Sequence, residues 1–111
     1  MQHKITLLEK EYEVVFDKKF ERLYKRLTKK DNQTRKLIDD TIELFLKNPE
    51  HEDLNLHQIY CKVDITRLSV YIRDEKKQDT GLRIMLHTII NEAVIFYVGT
   101  HDAYMRENKD C

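Results

Sequence analysis

Apolar residues recur with a helical period in the first half of the chain. Asp17 is a typical N-cap residue, and the apolar positions after it fall at the i, i+3, i+4, i+7 spacing of one helix face. A second start signal at Asp31 precedes another such stripe, which ends where Asn48 meets Pro49. The two stripes consist of Phe20, Leu23, Tyr24 and Leu27, and of Leu37, Ile38, Thr41, Ile42, Phe45 and Leu46. The pattern predicts two helices joined as an αα-hairpin.

From residue 68 onward the period changes to two. Residues 68–73 alternate as in a half-exposed strand, residues 82–90 are again strand-like, and residues 94–98 form an apolar run typical of a strand buried on both faces. The polar stretch 74–81 is predicted to be a turn, and 91–92 is short enough to close a hairpin. Nearer the start, residues 4–8 and 12–16 are each candidate strands, and the second is better placed.

The order of these elements predicts a single α+β domain over residues 1–111. We expect an antiparallel sheet of about four strands, with the N-terminal αα-hairpin packed on one face. In the hairpin with a two-residue loop at 91–92, Ile90 would oppose Ala93 and Arg83 would oppose Thr100.

Charge is balanced overall but unevenly distributed. The chain has 20 Lys plus Arg and 20 Asp plus Glu, so a strong overall field for nucleic acid or an anionic membrane is absent. Residues 17–36 nevertheless hold nine bases against three acids, and residues 37–58 hold six acids against one Lys. The basic segment is either a phosphate-facing surface or an ordinary solvated helix face.

Cysteine usage and hydrophobicity suggest a cellular compartment. Cys61 and Cys111 stand fifty positions apart without Cys-x-x-Cys spacing, which indicates neither a zinc site nor a disulfide framework. No run approaches the roughly 20 apolar residues that cross a bilayer, and no export signal is evident. We expect a cytoplasmic protein with no membrane partner, metal or cofactor.

Polar groups cluster where the buried strand ends. Gly99 is followed within seven residues by His101, Asp102, Tyr104 and Arg106. Arg83 interrupts an otherwise apolar strand, and the predicted register brings it to the same end of the sheet as His101. A guanidinium and an imidazole that converge in this way favour a phosphate site. The alternative is that the residues after Gly99 are a solvated tail and that Arg83 pairs with a carboxylate.

Four segments, in this order and spacing, resemble the RelE/ParE superfamily of toxins from bacterial toxin–antitoxin pairs. The resemblance covers about residues 12–106, and the closing Gly-Thr-His is similar to the YafQ-like branch. The segments are Phe16-Asp17-Lys18-Lys19-Phe20 with Leu23, Leu54-Asn55-Leu56-His57, Gly81-Leu82-Arg83-Ile84, and Val98-Gly99-Thr100-His101-Asp102-Ala103-Tyr104.

The resemblance implies a metal-independent endoribonuclease that cleaves messenger RNA, with the ribosome as a partner and an antitoxin protein as inhibitor. Arg83 would grip the scissile phosphate, His101 would be general acid or charge stabiliser, His57 a candidate base, and Tyr104 would stack on a base or orient a hydroxyl. Tyr71 loosely matches a second histidine of some relatives. The remaining substrate-binding candidates are Arg73, Lys18, Lys19, Arg22, Lys25 and Arg26.

Two other functions stay open. One is a ParE-like inhibitor of DNA gyrase, although His101 argues against that branch. The other is a catalytically inactive binding module, which the neutral net charge would suit. Among the other histidines, His87 is expected to be structural, and His3 and His51 are expected on the surface.

Overall fold

A β-hairpin precedes the two predicted helices. The computed structural model describes residues 3–109 and residue 111. In chain order the elements are β1 (His3–Leu7), β2 (Lys10–Phe16), α1 (Lys18–Thr28), α2 (Asn32–Lys47), a 3₁₀ turn (Glu52–Leu54), β3 (His57–Gln58), β4 (Arg67–Arg73), β5 (Asp79–Ile89), β6 (Glu92–Thr100) and α3 (His101–Glu107). Both long helices begin at the predicted caps: Asp17 accepts a hydrogen bond from the Lys19 amide, and Asp31 accepts one from Thr34.

The predicted sheet is wrong in size and in strand direction. The described residues form six strands in the order β1-β2-β6-β5-β4-β3, and β2 pairs with β6 in parallel. The helical hairpin is therefore not N-terminal, and α3 adds a third helix after the last strand. In the β1–β2 turn, Leu8 and Glu9 adopt positive φ angles of 49° and 70°, which usually favour Gly. Since the turn contains no Gly, the sequence gives no turn signal there.

The β5–β6 hairpin has a different register from the predicted one. Thr88 pairs with Ala93 and Ile89 with Glu92, so the turn lies at residues 90–91, where Ile90 has φ 52°. A bulge on β6, opposite Met85 and Leu86, then shifts the pairing by one residue. Arg83 consequently opposes Gly99 rather than Thr100, although it does lie at the predicted end of the sheet.

The two faces of the sheet have different coverings. The main hydrophobic core lies between one face and the helical hairpin; its members include Phe20, Ile38, Phe45, Ile72, Ile84 and Val98. Because side chains alternate along a strand, Arg83 and Met85 point to the opposite face. On that face Met85, Phe96 and Tyr97 form a second cluster, against which Ala103 and Tyr104 of α3 pack. Arg83 therefore lies on the face of the sheet that α3, with His101 and Tyr104, covers.

A disulfide joins the end of the chain to the loop between β3 and β4. Cys61 and Cys111 are bonded, with their Cα atoms 4.1 Å apart. The prediction that the cysteines form no disulfide is wrong, because α3 packs back across the sheet and closes a separation of fifty residues that no sequence spacing reveals. Within the described residues, no helix is long and apolar enough to cross a membrane.

Candidate functional site

Arg83 is held by a carboxylate that its own strand supplies. Only 7% of the residue is exposed. Its Nη1 and Nη2 atoms donate to the two carboxylate oxygens of Asp79 at 2.7 and 2.9 Å, and Nη1 also donates to the Leu82 carbonyl at 3.0 Å. This is an end-on bidentate pair, which fixes the plane of the guanidinium.

A bulge in β5 makes this pair possible. In a regular strand, residues four positions apart are separated by about 13 Å. Tyr71 pairs with Arg83 and Arg73 with Asp79, so three residues of β5 oppose a single residue of β4. Gly81, with φ +84°, lies in this bulge, and its amide donates to Asp79 Oδ1 at 2.9 Å. Glycine therefore bends the strand so that Asp79 reaches Arg83.

The pair shifts the titration of both partners. The hydrogen bonds from Arg83 lower the pKa of Asp79; burial opposes this, and the Gly81 amide and the charges of Arg83 and Arg73 also lower the pKa. The hydrogen bond to Asp79 in turn raises the pKa of Arg83, and the nearby phenols of Tyr71 and Tyr104 act in the same direction. Both groups are therefore ionised at neutral pH.

Tyr71 lies between Arg83 and His57. The Arg83 Cζ atom is 3.8 Å from the centroid of the Tyr71 ring, which is a cation–π contact. On the other side, the His57 ring meets Tyr71 edge-on at a centroid distance of 5.8 Å. The order of β3, β4 and β5 in the sheet thus places His57, Tyr71 and Arg83 in a row across one face.

The hydrogen bonding of His57 fixes its tautomer. Its Nδ1 atom is 2.7 Å from the carbonyl oxygen of Asn55. Because a carbonyl only accepts hydrogen bonds, Nδ1 carries the proton, and Nε2 of the neutral ring has a lone pair with no partner among the described residues. The half-buried imidazole can therefore accept a proton at Nε2.

The other two catalytic candidates lie on α3. His101 is the first residue of this helix and is exposed. Its ring stacks on that of Tyr104 at a centroid distance of 5.8 Å and an interplanar angle of 18°. Tyr104 is half-buried and packs against the cluster of Met85, Phe96 and Tyr97. The structure thus places Tyr104 on the same face of the sheet as Arg83, and His101 stacks on Tyr104.

The predicted substrate-binding residues fall into two groups. Lys18, Arg22, Lys25 and Arg26 are exposed on α1, whereas Lys19 forms an ion pair with Glu107 that joins α1 to α3. Arg73 donates to the carbonyl oxygens of Asp53 at 2.7 Å and Lys77 at 3.2 Å, and its Cζ atom is 5.4 Å from the Tyr71 ring. Arg73 therefore ties the 3₁₀ turn and the β4–β5 turn to the strand.

Two open grooves extend to parts of the row of His57, Tyr71 and Arg83, but neither groove encloses the row. One, of about 620 Å³, is lined by polar side chains of α2 and the β4–β5 turn and reaches Tyr71 and Arg73. The other, of about 720 Å³, lies beside the β1–β2 turn and reaches His57. Arg83, His101 and Tyr104 line neither groove. The site is a strip on the surface rather than a deep cavity.

Asp79 was not predicted as a site residue, because the sequence pattern placed it in a polar turn. The only available signal was an acidic residue four positions before Arg83 with Gly81 between them. His87, expected to be structural, does have a structural partner: its Nδ1 atom is 3.1 Å from Asp64 Oδ2, and its ring lies 4.9 Å from that of Phe96.

Comparisons with protein-family models, with curated proteins and with solved structures give no match to this chain.

Proposed function

We propose that this chain is a metal-independent endoribonuclease toxin that cleaves messenger RNA on the ribosome and is inhibited by an antitoxin protein. The proposal rests on the resemblance of its four segments to the RelE/ParE superfamily. The observation that carries it is the orientation of Arg83, which presents a free pair of donors in a row of groups suited to acid–base chemistry.

The free donors of Arg83 form a fork. Asp79 and Leu82 use both hydrogens of Nη1 and one of Nη2. Among the described residues, Nε–H and the second Nη2 hydrogen have no hydrogen-bond partner. These two N–H groups lie on the same edge of the guanidinium and match the spacing of two phosphate oxygens. Asp79 therefore leaves these two donors without a partner among the described residues while it fixes the plane of the guanidinium.

The low exposure of Arg83 strengthens this contact. Its side chain is 9% exposed, so a phosphate at the fork would be held in a poorly hydrated environment. Charge-assisted hydrogen bonds are stronger there than in water. The same donors would stabilise the negative charge that grows on the phosphorus oxygens as the reaction proceeds.

Two imidazoles flank Arg83 in the order of the sheet. His57 on β3 lies two strands away, about 10 Å at backbone level, and His101 follows β6 on the other side. His57 Nε2 would take the proton from the 2′-hydroxyl, whose oxygen then attacks the phosphorus. The 5′-oxygen leaves and takes a proton from His101. The products are a 2′,3′-cyclic phosphate and a free 5′-hydroxyl.

The remaining groups have binding roles in this proposal. Tyr104 offers an aromatic face for a base. The exposed bases of α1 would contact RNA phosphates, and the Lys19–Glu107 pair places the first turn of α1 beside α3. A cytoplasmic location follows from the substrate. The antitoxin would cover the same basic surface.

The decisive test compares variants in cells and on RNA. The wild type is induced in bacteria, and growth and the 5′ ends of messenger RNA are measured beside Arg83→Ala, His101→Ala and the exposed control Arg106→Ala. We expect the wild type and the control to arrest growth and to create new 5′-hydroxyl ends, and Arg83→Ala and His101→Ala to lose both effects. Full toxicity of both of these variants would disprove the catalytic assignment.

One observation favours a second function, that of an inactive binding module. The Asp79 carboxylate neutralises Arg83, so the row carries less net positive charge than a phosphate site built on an unpaired arginine. RNA ends that stay unchanged in cells expressing the wild type would favour this alternative over the nuclease.

A further inference from the structure

Few contacts hold α3 on the sheet. The helix has seven residues, none of them buried. Apart from the partial burial of Ala103 and Tyr104, its attachment comes from residues near its end: Glu107 pairs with Lys19, and Asn108 accepts a hydrogen bond from Arg67 Nη1 at 2.7 Å and donates one to Met85 Sδ at 3.5 Å. The disulfide from Cys111 to Cys61 follows immediately. A short exposed helix with so few contacts is marginal without such a tether.

The segment at the other end of the disulfide is also weakly anchored. Cys61 is 1% exposed, but it belongs to the β3–β4 connection, in which Tyr60, Val63 and Ile65 are 73% to 78% exposed. Apart from Cys61, the connection is held by Asp64, which accepts hydrogen bonds from Thr66 and contacts His87, and by a hydrogen bond that Gln58 Nε2 donates to the Ile65 carbonyl at 2.8 Å. The disulfide therefore joins two loosely held segments across the α3 face.

A cationic side chain, that of Arg67, lies next to the sulfur of Cys111. Arg67 Nη1 is 3.6 Å from Cys111 Sγ, and the Arg67 guanidinium is itself held over the Phe96 ring, with Cζ 5.0 Å from the centroid. Cys111 is half-buried, whereas Cys61 is closed off from solvent. A thiolate that approaches from solvent thus reaches Cys111 first, beside the Arg67 guanidinium, whose charge is partly offset by Asp64 Oδ2 at 3.5 Å from Nε.

We propose that the Cys61–Cys111 disulfide is a redox-sensitive clamp that holds α3, with His101 and Tyr104, in place beside Arg83, and that a thiol reductant releases it. One reductant thiolate attacks Cys111 Sγ, the S–S bond breaks, and Cys61 leaves as a thiolate. A second reductant thiolate then attacks the mixed disulfide and frees Cys111. The two protons that the reductant thiols lose pass to Cys61 and Cys111, so two reductant thiols become one disulfide while the protein disulfide becomes two thiols.

The first part of the proposal, that the disulfide holds α3 on the sheet, does not depend on any activity of the protein. The clamp's control over cleavage rests on the proposed function, because only there do His101 and Tyr104 act beside Arg83. The oxidised protein is the more active form, since the clamp fixes both groups where the phosphate binds, and the reduced protein present in a reducing cytosol keeps about a tenth of that turnover.

Hydrogen exchange tests whether the disulfide holds α3 on the sheet. We compare the oxidised protein, the protein reduced with dithiothreitol, and Cys111→Ser under both conditions. We expect amides of residues 105–109 to exchange about tenfold faster or more after reduction, while β5 is unchanged. Cys111→Ser should match the reduced protein with and without dithiothreitol, and reoxidation with diamide should restore the slow exchange of the wild type. Equal exchange of α3 in the oxidised and reduced proteins would overturn the clamp.

Cleavage of a model RNA tests the control of the site. The turnover rate should fall about tenfold on reduction of the wild type and should not respond to dithiothreitol in Cys111→Ser. Unchanged or faster turnover with released α3 would overturn redox control. If neither form cleaves RNA, the proposed function fails and redox control of cleavage fails with it, but hydrogen exchange still decides whether the clamp exists.

Discussion

The guanidinium of Arg83 stacks on the ring of Tyr71, its neighbour across the β4–β5 pair, with Cζ 3.8 Å from the ring centroid. Asp79 binds the end of the same guanidinium in the plane. Tyr71 covers one face of the guanidinium, and Asp79 fixes its rotation. The charge of the nearly buried Arg83 is thus compensated while some of its N–H donors stay free within the described part of the chain.

Replacement of Tyr71 separates ring stacking from the phenol. Tyr71→Phe keeps a π face over Arg83, whereas Tyr71→Leu removes it. We expect Tyr71→Leu to lower the free energy of unfolding by about 0.5–2 kcal/mol more than Tyr71→Phe does. Urea unfolding of both variants measures this difference. Equal losses in the two variants would mean that the stacking contributes nothing.

Asp79→Asn removes the charge that orients Arg83. We expect a loss of about 1 kcal/mol in unfolding free energy at pH 7; the value is modest because solvent screens a carboxylate whose side chain is 38% exposed. We also expect weaker binding of RNA, because the fork loses its fixed orientation. Glu75→Gln, in the exposed β4–β5 turn, is the matched control. Tighter RNA binding by Asp79→Asn would instead mean that Asp79 occupies the phosphate position.

The same pair predicts an acid-dependent stability difference. The folded pKa of Asp79 lies below its usual value of 3.8, so the ionised form favours the folded state. Its contribution is present above pH 3.8 and is lost as pH falls through the lowered folded value. Unfolding measured from pH 7 down to pH 3 should bring the wild type and Asp79→Asn closer together. A gap that is independent of pH would rule out the charge as its origin.

Tyr97 predicts a stability change at the alkaline end. Burial raises the pKa of Tyr97 to about 12, and its hydroxyl is buried without a hydrogen-bond partner among the described residues. Because the folded pKa is above the unfolded value of 10.0, the contribution is present below pH 10.0 and is lost as pH rises toward 12.

Absorbance titration and unfolding at high pH measure this effect. The wild type should show a tyrosine that ionises near pH 12, together with a steep loss of stability above pH 10. Tyr97→Phe should lack both features and be nearly as stable at pH 7, since no hydrogen bond is lost. An unchanged titration curve in Tyr97→Phe would contradict the assignment.

Gly99 is required by the position of Tyr97 on the same strand. A Cβ atom at Gly99 would overlap the hydroxyl and ring carbons of Tyr97. We expect Gly99→Ala to lower the unfolding free energy by about 1–3 kcal/mol, as overpacking usually does. In a double-mutant cycle with Tyr97→Ala, the cost should shrink markedly. Additive losses would mean that the overlap is not the cause.

Local patterns predicted the elements that local physics decides. The N-caps Asp17 and Asp31 and the apolar stripes after them fixed α1 and α2, because capping and side-chain periodicity act within a few turns of chain. Alternation predicted β4, and the apolar run at 94–98 predicted the centre of β6. The first short run, at 4–8, proved to contain most of β1.

Strand pairing and register between distant segments could not be predicted from the sequence. The parallel pairing of β2 with β6 joins segments about eighty residues apart in the chain, and the period of a strand is the same in either direction. The bulges opposite Met85–Leu86 and around Gly81 change register without changing composition. The two-residue strand β3 is too short to produce any pattern.

The sequence by itself determined which residues are chemically unusual: a cation in an apolar strand, a histidine just after a buried strand, and a tyrosine nearby. Only the tertiary structure decided how Arg83 is held. Asp79 reaches it through a backbone bend at Gly81, and Tyr71 covers it from the neighbouring strand. The physical reason is that charge pairing and ring stacking depend on distances of a few ångströms, which strand register and chain bending set and residue order alone does not.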